Sequence, residues 1–361
     1  MPVLRPRKRR KLTLAALAAL FFVAVPEARA ATLEDSLRSA SDLALAAAAR
    51  LNARVEAVRD PGITAMSGLD LDLRIDRTQV DRTLDPFLDA PQPDLPTLFW
   101  DNDFEGRPAP SSELEVSRRL TSDGSGDVWG SGIVEFGREA DGMIAARHSR
   151  ADIATGLDVS LSVRATAGAA LGLNRATIDG AGSLDLPTLS TYGTIAPTPD
   201  SYLDVTAGAG PLRSAPAGVG LPIASGEAGF ATATYGSRFA VGPLTLSPYG
   251  RMESVVVRAL PRDGAWSGAL LASRTSAVTG VKTSRVIRRQ GATIAPALRL
   301  EMRQDIARAR PLGRRVSQEL MIAPEIEAEL APHWTARLEH RSHFGGDGDT
   351  RSLQIRLETT F

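Results

Sequence analysis

The chain of 361 residues contains no cysteine. That removes disulfides, thiolate metal sites and thiol nucleophiles together. Beyond the first 25 residues there is no run of 18 apolar side chains, so a helical membrane protein is excluded. Histidine is scarce: His148, His333, His340 and His343 are the only candidates for base work near neutral pH. His340 and His343 fall on opposite faces of an extended strand, which argues against a shared metal. No Gly-x-Ser-x-Gly elbow accompanies any of the four. Gly130-Ser131-Gly132 and Gly208-Ala209-Gly210 lack the Lys-Ser/Thr and the helix start of a phosphate loop. No repeat of 20–50 residues is visible, which excludes a solenoid. Catalytic, cofactor-binding and metal sites are therefore not expected. Aromatics make up only 5% of the chain, and Lys282 is the only lysine after Lys11. An almost pure arginine complement fits either a GC-rich genome or guanidinium forks paired with carboxylates in an enclosed space.

What the chain has begins with a basic cluster, Arg5 to Lys11, followed by an apolar run from Leu12 to Val25 and then Pro26-Glu27-Ala28-Arg29-Ala30. This is a signal peptide in form, with cleavage expected after Ala30. The run is short for a membrane anchor. Its removal takes away seven basic side chains and one acidic one, leaving a mildly acidic exported chain. Such a chain has no electrostatic reason to bind nucleic acid.

At the other end, Leu353, Ile355, Leu357, Thr359 and Phe361 alternate with Gln354, Arg356, Glu358 and Thr360. Strict period two marks a strand with one apolar and one polar side. The terminal Phe361 resembles the C-terminal assembly signal of outer-membrane β-barrels, carried by Leu353, Ile355, Leu357 and Phe361.

Residues 33–59 read as a helix, with Leu33, Leu37, Ala40, Ala44, Ala47, Leu51, Val55 and Val58 at spacings of three and four. Thr32, Glu34 and Asp35 suit its positive end, and Asp60-Pro61-Gly62 stops it. The mostly alanine face implies close packing, as a strut or as a plug. Residues 61–126 read as an irregular Pro-rich linker or short passenger, with one amphipathic strand around Leu69–Ile75.

From Asp127 onward, strand-length segments are separated by Gly, Asp, Pro and Ser. Twelve are expected: 127–138, 151–165, 168–178, 187–195, 201–209, 228–240, 243–257, 268–287, 291–304, 316–330, 331–343 and 349–361. A thirteenth, 113–120, also alternates, but bacterial barrels carry an even number of strands, which demotes it. In 151–165, Ile153, Thr155, Leu157, Val159 and Leu161 oppose Asp152, Asp158, Ser160 and Arg164. In 316–330, Leu320, Ile322 and Ile326 oppose Glu319, Glu325, Glu327 and Glu329. Spacing alone does not say which face is outside. The signal peptide and the terminal Phe361 favour apolar sides in lipid and charges toward a lumen. Tyr192, Tyr202, Tyr235, Phe239, Tyr249, Trp266, Trp334 and Phe361 would then serve as interfacial girdles.

Several motifs in order carry a family resemblance. Trp129-Gly130-Ser131-Gly132-Ile133-Val134-Glu135-Phe136-Gly137-Arg138 is similar to the opening strand of autotransporter β-domains. Thr155-Gly156-Leu157-Asp158 and Ala170-Leu171-Gly172-Leu173 resemble the second and third strands. Leu244-Thr245-Leu246-Ser247-Pro248-Tyr249-Gly250-Arg251-Met252-Glu253 and Pro296-Ala297-Leu298-Arg299-Leu300-Glu301-Met302-Arg303 resemble later ones. The resemblance covers 127–361. It implies an all-β fold, a twelve-stranded antiparallel transmembrane barrel in the outer membrane of a Gram-negative envelope, preceded by a short helical segment. It also implies a non-enzymatic translocator that carries a passenger, here very short. A passive porin-like or structural barrel is the alternative. The implied partners are outer-membrane lipid, the Sec export machinery and the barrel-assembly machinery.

The expected lumen charges are Arg299, Glu301, Arg303, Glu325, Glu327, Glu329, Arg337, Arg341, Arg356 and Glu358. They would fix register and solvate the interior, or form a selective constriction. Asn102-Asp103 is a candidate processing bond, since some autotransporters cut their passenger by asparagine cyclisation, or else a plain turn.

Overall fold

A computed structural model describes residues 36–59, 68–79, 109–119, 125–141, 144–178, 182–216, 223–262, 269–289, 292–310, 313–331, 334–345 and 349–360. One helix, α1, spans 36–59. Sixteen strands follow: β1 (Gly68–Gln79), β2 (Ala109–Arg119), β3 (Gly126–Asp141), β4 (Ile144–Ser162), β5 (Ala165–Ile178), β6 (Gly182–Thr198), β7 (Ser201–Pro216), β8 (Ile223–Ser237), β9 (Phe239–Val241), β10 (Leu244–Pro261), β11 (Leu270–Ser284), β12 (Ile287–Arg289), β13 (Ala292–Arg310), β14 (Gly313–Ala331), β15 (Trp334–Gly345) and β16 (Asp349–Thr360). β9 extends β8 along β10 in one unbroken register, and β12 extends β11 along β13 in the same way. Two full-length strands are therefore interrupted, and the sheet has fourteen.

Every pairing is antiparallel between neighbours in the chain, except that β1 also pairs with β16. β11 pairs with β13, so the run of partners returns on itself and each full-length strand is bonded on both sides. A sheet paired in this way presents no open edge to other chains. Gly68 stands opposite Thr360, so β1 begins where β16 finishes. That end is called proximal here; Gln79 at the end of β1 and Ala109 at the start of β2 are at the distal end. Proximal turns are short, such as Gly242-Pro243, where Gly242 takes a φ of 60°.

The expectation of twelve strands is corrected to fourteen. β1 and β2 come from the stretch read as irregular, at the amphipathic segment around Leu69–Ile75 and at the demoted 113–120. The count is even, and β1 supplies the second strand that 113–120 needs to join the sheet.

The two faces differ in burial. Ile153 is 60% exposed, Leu171 61% and Met302 58%, while Asp152 beside Ile153, and Asn174 beside the exposed Leu173, are fully buried. Leu300 and Ile294 are exposed, and Ile322 is half-buried. The polar face is the enclosed one because α1 lies against it, touching β4, β7, β8, β11 and β13 at once. Over most of its circumference α1 is buried; only a narrow stripe of Arg38, Asp42, Ala49, Ala53 and Ala57 is exposed.

Inward aromatics sit over glycines on the adjacent strand: Trp129 over Gly156, Tyr192 over Gly168, Phe230 over Gly208, Tyr202 over Gly236 and Tyr249 over Gly280. A Cβ at any of these glycines would run into the ring, so the glycine is required for the close approach. This corrects the girdle expectation. Tyr192 and Tyr202 are buried inside and Tyr249 is half-buried. Tyr235, Phe239 and Trp334 are exposed, all near the proximal end, and Trp266 and Phe361 lie outside the described residues.

Candidate functional site

The interior is built by α1 and the wall facing it. Arg50 and Arg54 are one helical turn apart and both are buried. Asp152 and Asp158 project from the enclosed face of β4 to meet them. Arg50 Nη2 is 3.2 Å from Asp152 Oδ2, which Arg150 also reaches at 2.5 Å. Arg54 Nε donates to Asp158 Oδ2 at 2.9 Å. The Tyr192 hydroxyl also donates to Asp158 and accepts from Trp129 Nε1 at 2.5 Å. The Arg54 guanidinium lies 5.5 Å from the centre of the Trp129 ring. A buried ion pair gains little net stability, but removing one partner leaves a desolvated charge and costs about 3–5 kcal/mol. These pairs thus fix where the helix can sit more than they stabilise the fold.

Toward the proximal end, Arg59 pairs with Asp204 and stacks 3.6 Å over the Tyr202 ring. Thr194 Oγ1 also donates to Asp204, at 2.6 Å. Asn52 Oδ1 accepts from Thr232 Oγ1 at 2.6 Å. Glu56 Oε1 receives Arg299 Nη2 at 2.7 Å and Lys282 Nζ at 3.6 Å. Toward the distal end, Asp42 is 3.5 Å from Arg274 of β11. The helix therefore runs with its N-terminal end distal and its C-terminal end proximal.

The distal interior is apolar. Leu184 and Leu186 of β6, Leu212 of β7, Ile223 of β8, Val255, Val257 and Ala259 of β10 and Leu270 of β11 form one buried cluster with Leu37, Ala40, Leu43 and Ala44 of α1. Burying a Leu or Val in this way contributes about 1.5–3 kcal/mol.

The expected lumen charges divide as follows. Glu301, Glu325 and Glu327 are buried, and Arg299, Arg303, Arg337 and Arg341 are half-buried beside carboxylates. Arg337 Nε is 3.2 Å from Glu325 and its Nη2 donates to Glu327 at 2.9 Å. Arg303 Nη2 bridges to Glu253 at 2.6 Å. Arg341 turns to Glu339 on its own strand, at 2.6 Å, rather than to Glu325. Glu329 is exposed, Arg356 is half-buried opposite Arg337, and the Glu358 side chain lies outside the described residues. Of the assembly signal, Leu353 and Ile355 are exposed, Leu357 is half-buried, and Phe361 is not among the described residues. Asn102 and Asp103 also lie outside them, between β1 and β2. Among the described residues no group of three His, Asp or Glu is gathered as metal ligands.

The sequence pattern does not single out Arg50, Asn52, Arg54, Glu56 and Arg59 as interior residues, because the apolar stripe of residues 33–59 is the stronger signal. Their signal was present: charges at one-turn spacing on a helix, and Asp152 and Asp158 on the polar face of 151–165.

Comparison with known proteins agrees with this architecture. The profile of the autotransporter beta-domain matches residues 128–314, more than half of the chain. Among curated proteins none matches. The translocator domain of the autotransporter NalP from Neisseria meningitidis is similar at 14% identity and a TM-score of 0.45, over 89% of this chain and 98% of that one. The β-domain of the Bordetella autotransporter BrkA has 12% identity and a TM-score of 0.38, over 82% and 100%. The toluene transporter TodX of Pseudomonas putida has 9% identity and a TM-score of 0.47, over 82% and 90%. Similarity at this level decides nothing further, and the assignment rests on the profile match. The chain belongs to the autotransporter β-domain family.

Proposed function

We propose that this chain is an outer-membrane barrel whose cargo is its own N-terminal segment, held in the lumen as α1 with its leading end at the cell surface. The observation that carries this reading is the direction of the helix. Its C-terminal end meets β4, β7, β11 and β13 at the proximal end, where the chain passes on to β1. Asp42 and Leu37 belong to the distal half. In this reading the proximal side, which has short turns and the start of β1 beside the end of β16, is periplasmic, as in bacterial barrels generally, and the distal side is external. The exposed apolar residues of the outward face supply the lipid contact.

With processing after Ala30, five residues, 31–35, precede the described part of α1, so in this reading the displayed segment is far smaller than the stretch 31–126. The proposed work is translocation and presentation, without catalysis; the Sec machinery would export the chain and the barrel-assembly machinery would insert it. A cut at Asn102-Asp103 would not release α1, because β1 lies on the helix side of the bond. The test is accessibility on whole cells. A tag placed at residue 31 should be reached by protease and antibody from outside, and a tag at residue 64 should not. Inaccessibility of the first tag, or shaving of the second, would overturn the reading.

The exposed stripe of Ala49, Ala53 and Ala57 favours a second reading, a narrow water lane beside the helix. Small, steady single-channel conductance that shrinks with Ala53→Trp would support it.

A further inference from the structure

The outward surface of the distal rim is not built like that of the proximal one. Near the proximal end the exposed aromatics are Tyr235, Phe239 and Trp334; at the distal end Phe344 of β15 is exposed, away from the β5–β10 arc. Along the β5–β10 arc at the distal end, five of the described outward residues are charged, with Leu260 exposed beyond Arg258. Arg175 lies close to the end of β5, Asp185 close to the start of β6, Arg213 close to the end of β7, Glu227 close to the start of β8 and Arg258 close to the end of β10. Each has inward, buried neighbours on its own strand: Asn174, Leu184 and Leu186, Leu212, Ala228, Val257 and Ala259. Arg308 of β13 continues the row, exposed on the same side as Met302.

The register makes these positions one belt. Asp185 stands opposite both Arg175 and Arg213, and Glu227 stands opposite Arg258. Arg175 grips Asp185 with two bonds of 2.6 and 2.9 Å. Arg258 is 3.4 Å from Glu227, and both are about two-thirds exposed. Four guanidiniums are set against two carboxylates, so the belt is cationic. Just below it the outward face turns apolar, with Leu171 and Leu173 on β5, Leu189 on β6 and Val256 on β10. Arginine at the boundary of an apolar band keeps its stem on that band and its fork at headgroup level. A guanidinium fork matches phosphate oxygens bidentately.

We propose that this belt binds the phosphate groups of the phosphorylated glycolipid in the outer leaflet, in place of an aromatic girdle. The inference rests on the orientation and membrane placement given under Proposed function. It explains how a chain poor in aromatics marks its outer boundary. The two carboxylates hold the forks apart and in register, so that phosphates insert between Arg213 and Arg258 and beside Arg175.

The test uses the full mature chain, folded in detergent. Its affinity is measured for purified lipopolysaccharide with intact lipid A phosphates and for the same lipid after dephosphorylation. The expected result is at least tenfold tighter binding of the phosphorylated form, with that preference lost in R175A/R213A/R258A and retained in R164A, at a proximal turn. Equal binding of both lipids would overturn the proposal, as would an equal loss in R164A. The heat-dependent gel shift of a folded barrel shows whether the triple variant has folded. If it has not, the single variants R213A and R258A are read instead, each expected to lose about threefold. The orientation is checked separately by labelling residue 213 on whole cells. A phosphate preference with a periplasmic residue 213 would sink the orientation and leave the belt's chemistry standing.

Discussion

The two halves of the interior hold the same helix by different physics. In the distal half, Leu37 and Leu43 meet Leu186, Leu212 and Val257 in a dry cluster. In the proximal half, Arg54, Glu56 and Arg59 meet Asp158, Arg299, Lys282 and Asp204. Apolar burial is non-directional and tolerates rotation of the helix about its axis. The ion pairs do not, since a turn of the helix would take the Arg54 guanidinium away from the buried Asp158 carboxylate. The dry half supplies the stability and the ionic half supplies the azimuth. Neither alone would specify one position for α1.

The contrast breaks most severely at its dry end. Leu43→Asp places an unpaired carboxylate in the apolar cluster and should cost roughly 4 kcal/mol or more. In reconstituted bilayers the expected outcome is frequent large openings where the parent is nearly closed. Next, Asp158→Ala takes away the carboxylate that the buried Arg54 guanidinium faces and should lower stability by roughly 3–5 kcal/mol, read as a fall in the denaturant midpoint. The double change Arg54→Met with Asp158→Leu should lose much less than that single one. Ile153→Arg acts on the outward face of the strand that carries Asp152. In lipid vesicles it should cost roughly 2–4 kcal/mol, and in a water-bathed sheet almost nothing. The smallest effect is expected from Lys282→Ala. It removes the more distant of two cations from Glu56 while Arg299 stays, for a loss of roughly 0.2–1 kcal/mol that shrinks in high salt.

How much of this was legible in the sequence depended on whether one face stayed pure. Strands such as β4, with Ile153 and Leu157 against Asp152 and Asp158, announced themselves by alternation. β1 and β2 alternate too, but prolines between them hid their membership, and no local rule says that two isolated strands close a sheet near the other end of the chain. The run Val255-Val256-Val257 has no alternation at all, because the interior there is as apolar as the exterior. Period two therefore could not reveal the dry cluster. The tyrosines misled for a related reason: amphipathic rings suit an interface, and nothing local says that a glycine on the next strand has opened a seat inside. The partnership of Arg54 with Asp158 spans more than a hundred residues and became visible only with the register.

The central claim is that the apolar faces meet lipid while the charged faces enclose α1. The chain has no cysteine, so single cysteines can carry a fluorophore without background. Probes at Ile153, Leu171 and Leu300, and at Thr188 and Ser276 on the enclosed face, would be compared in vesicles with brominated acyl chains. The account predicts strong quenching at the first three and little at the last two. Quenching at Thr188 and Ser276 but not at Ile153, or a protein that stays in solution without detergent and is quenched nowhere, would contradict it.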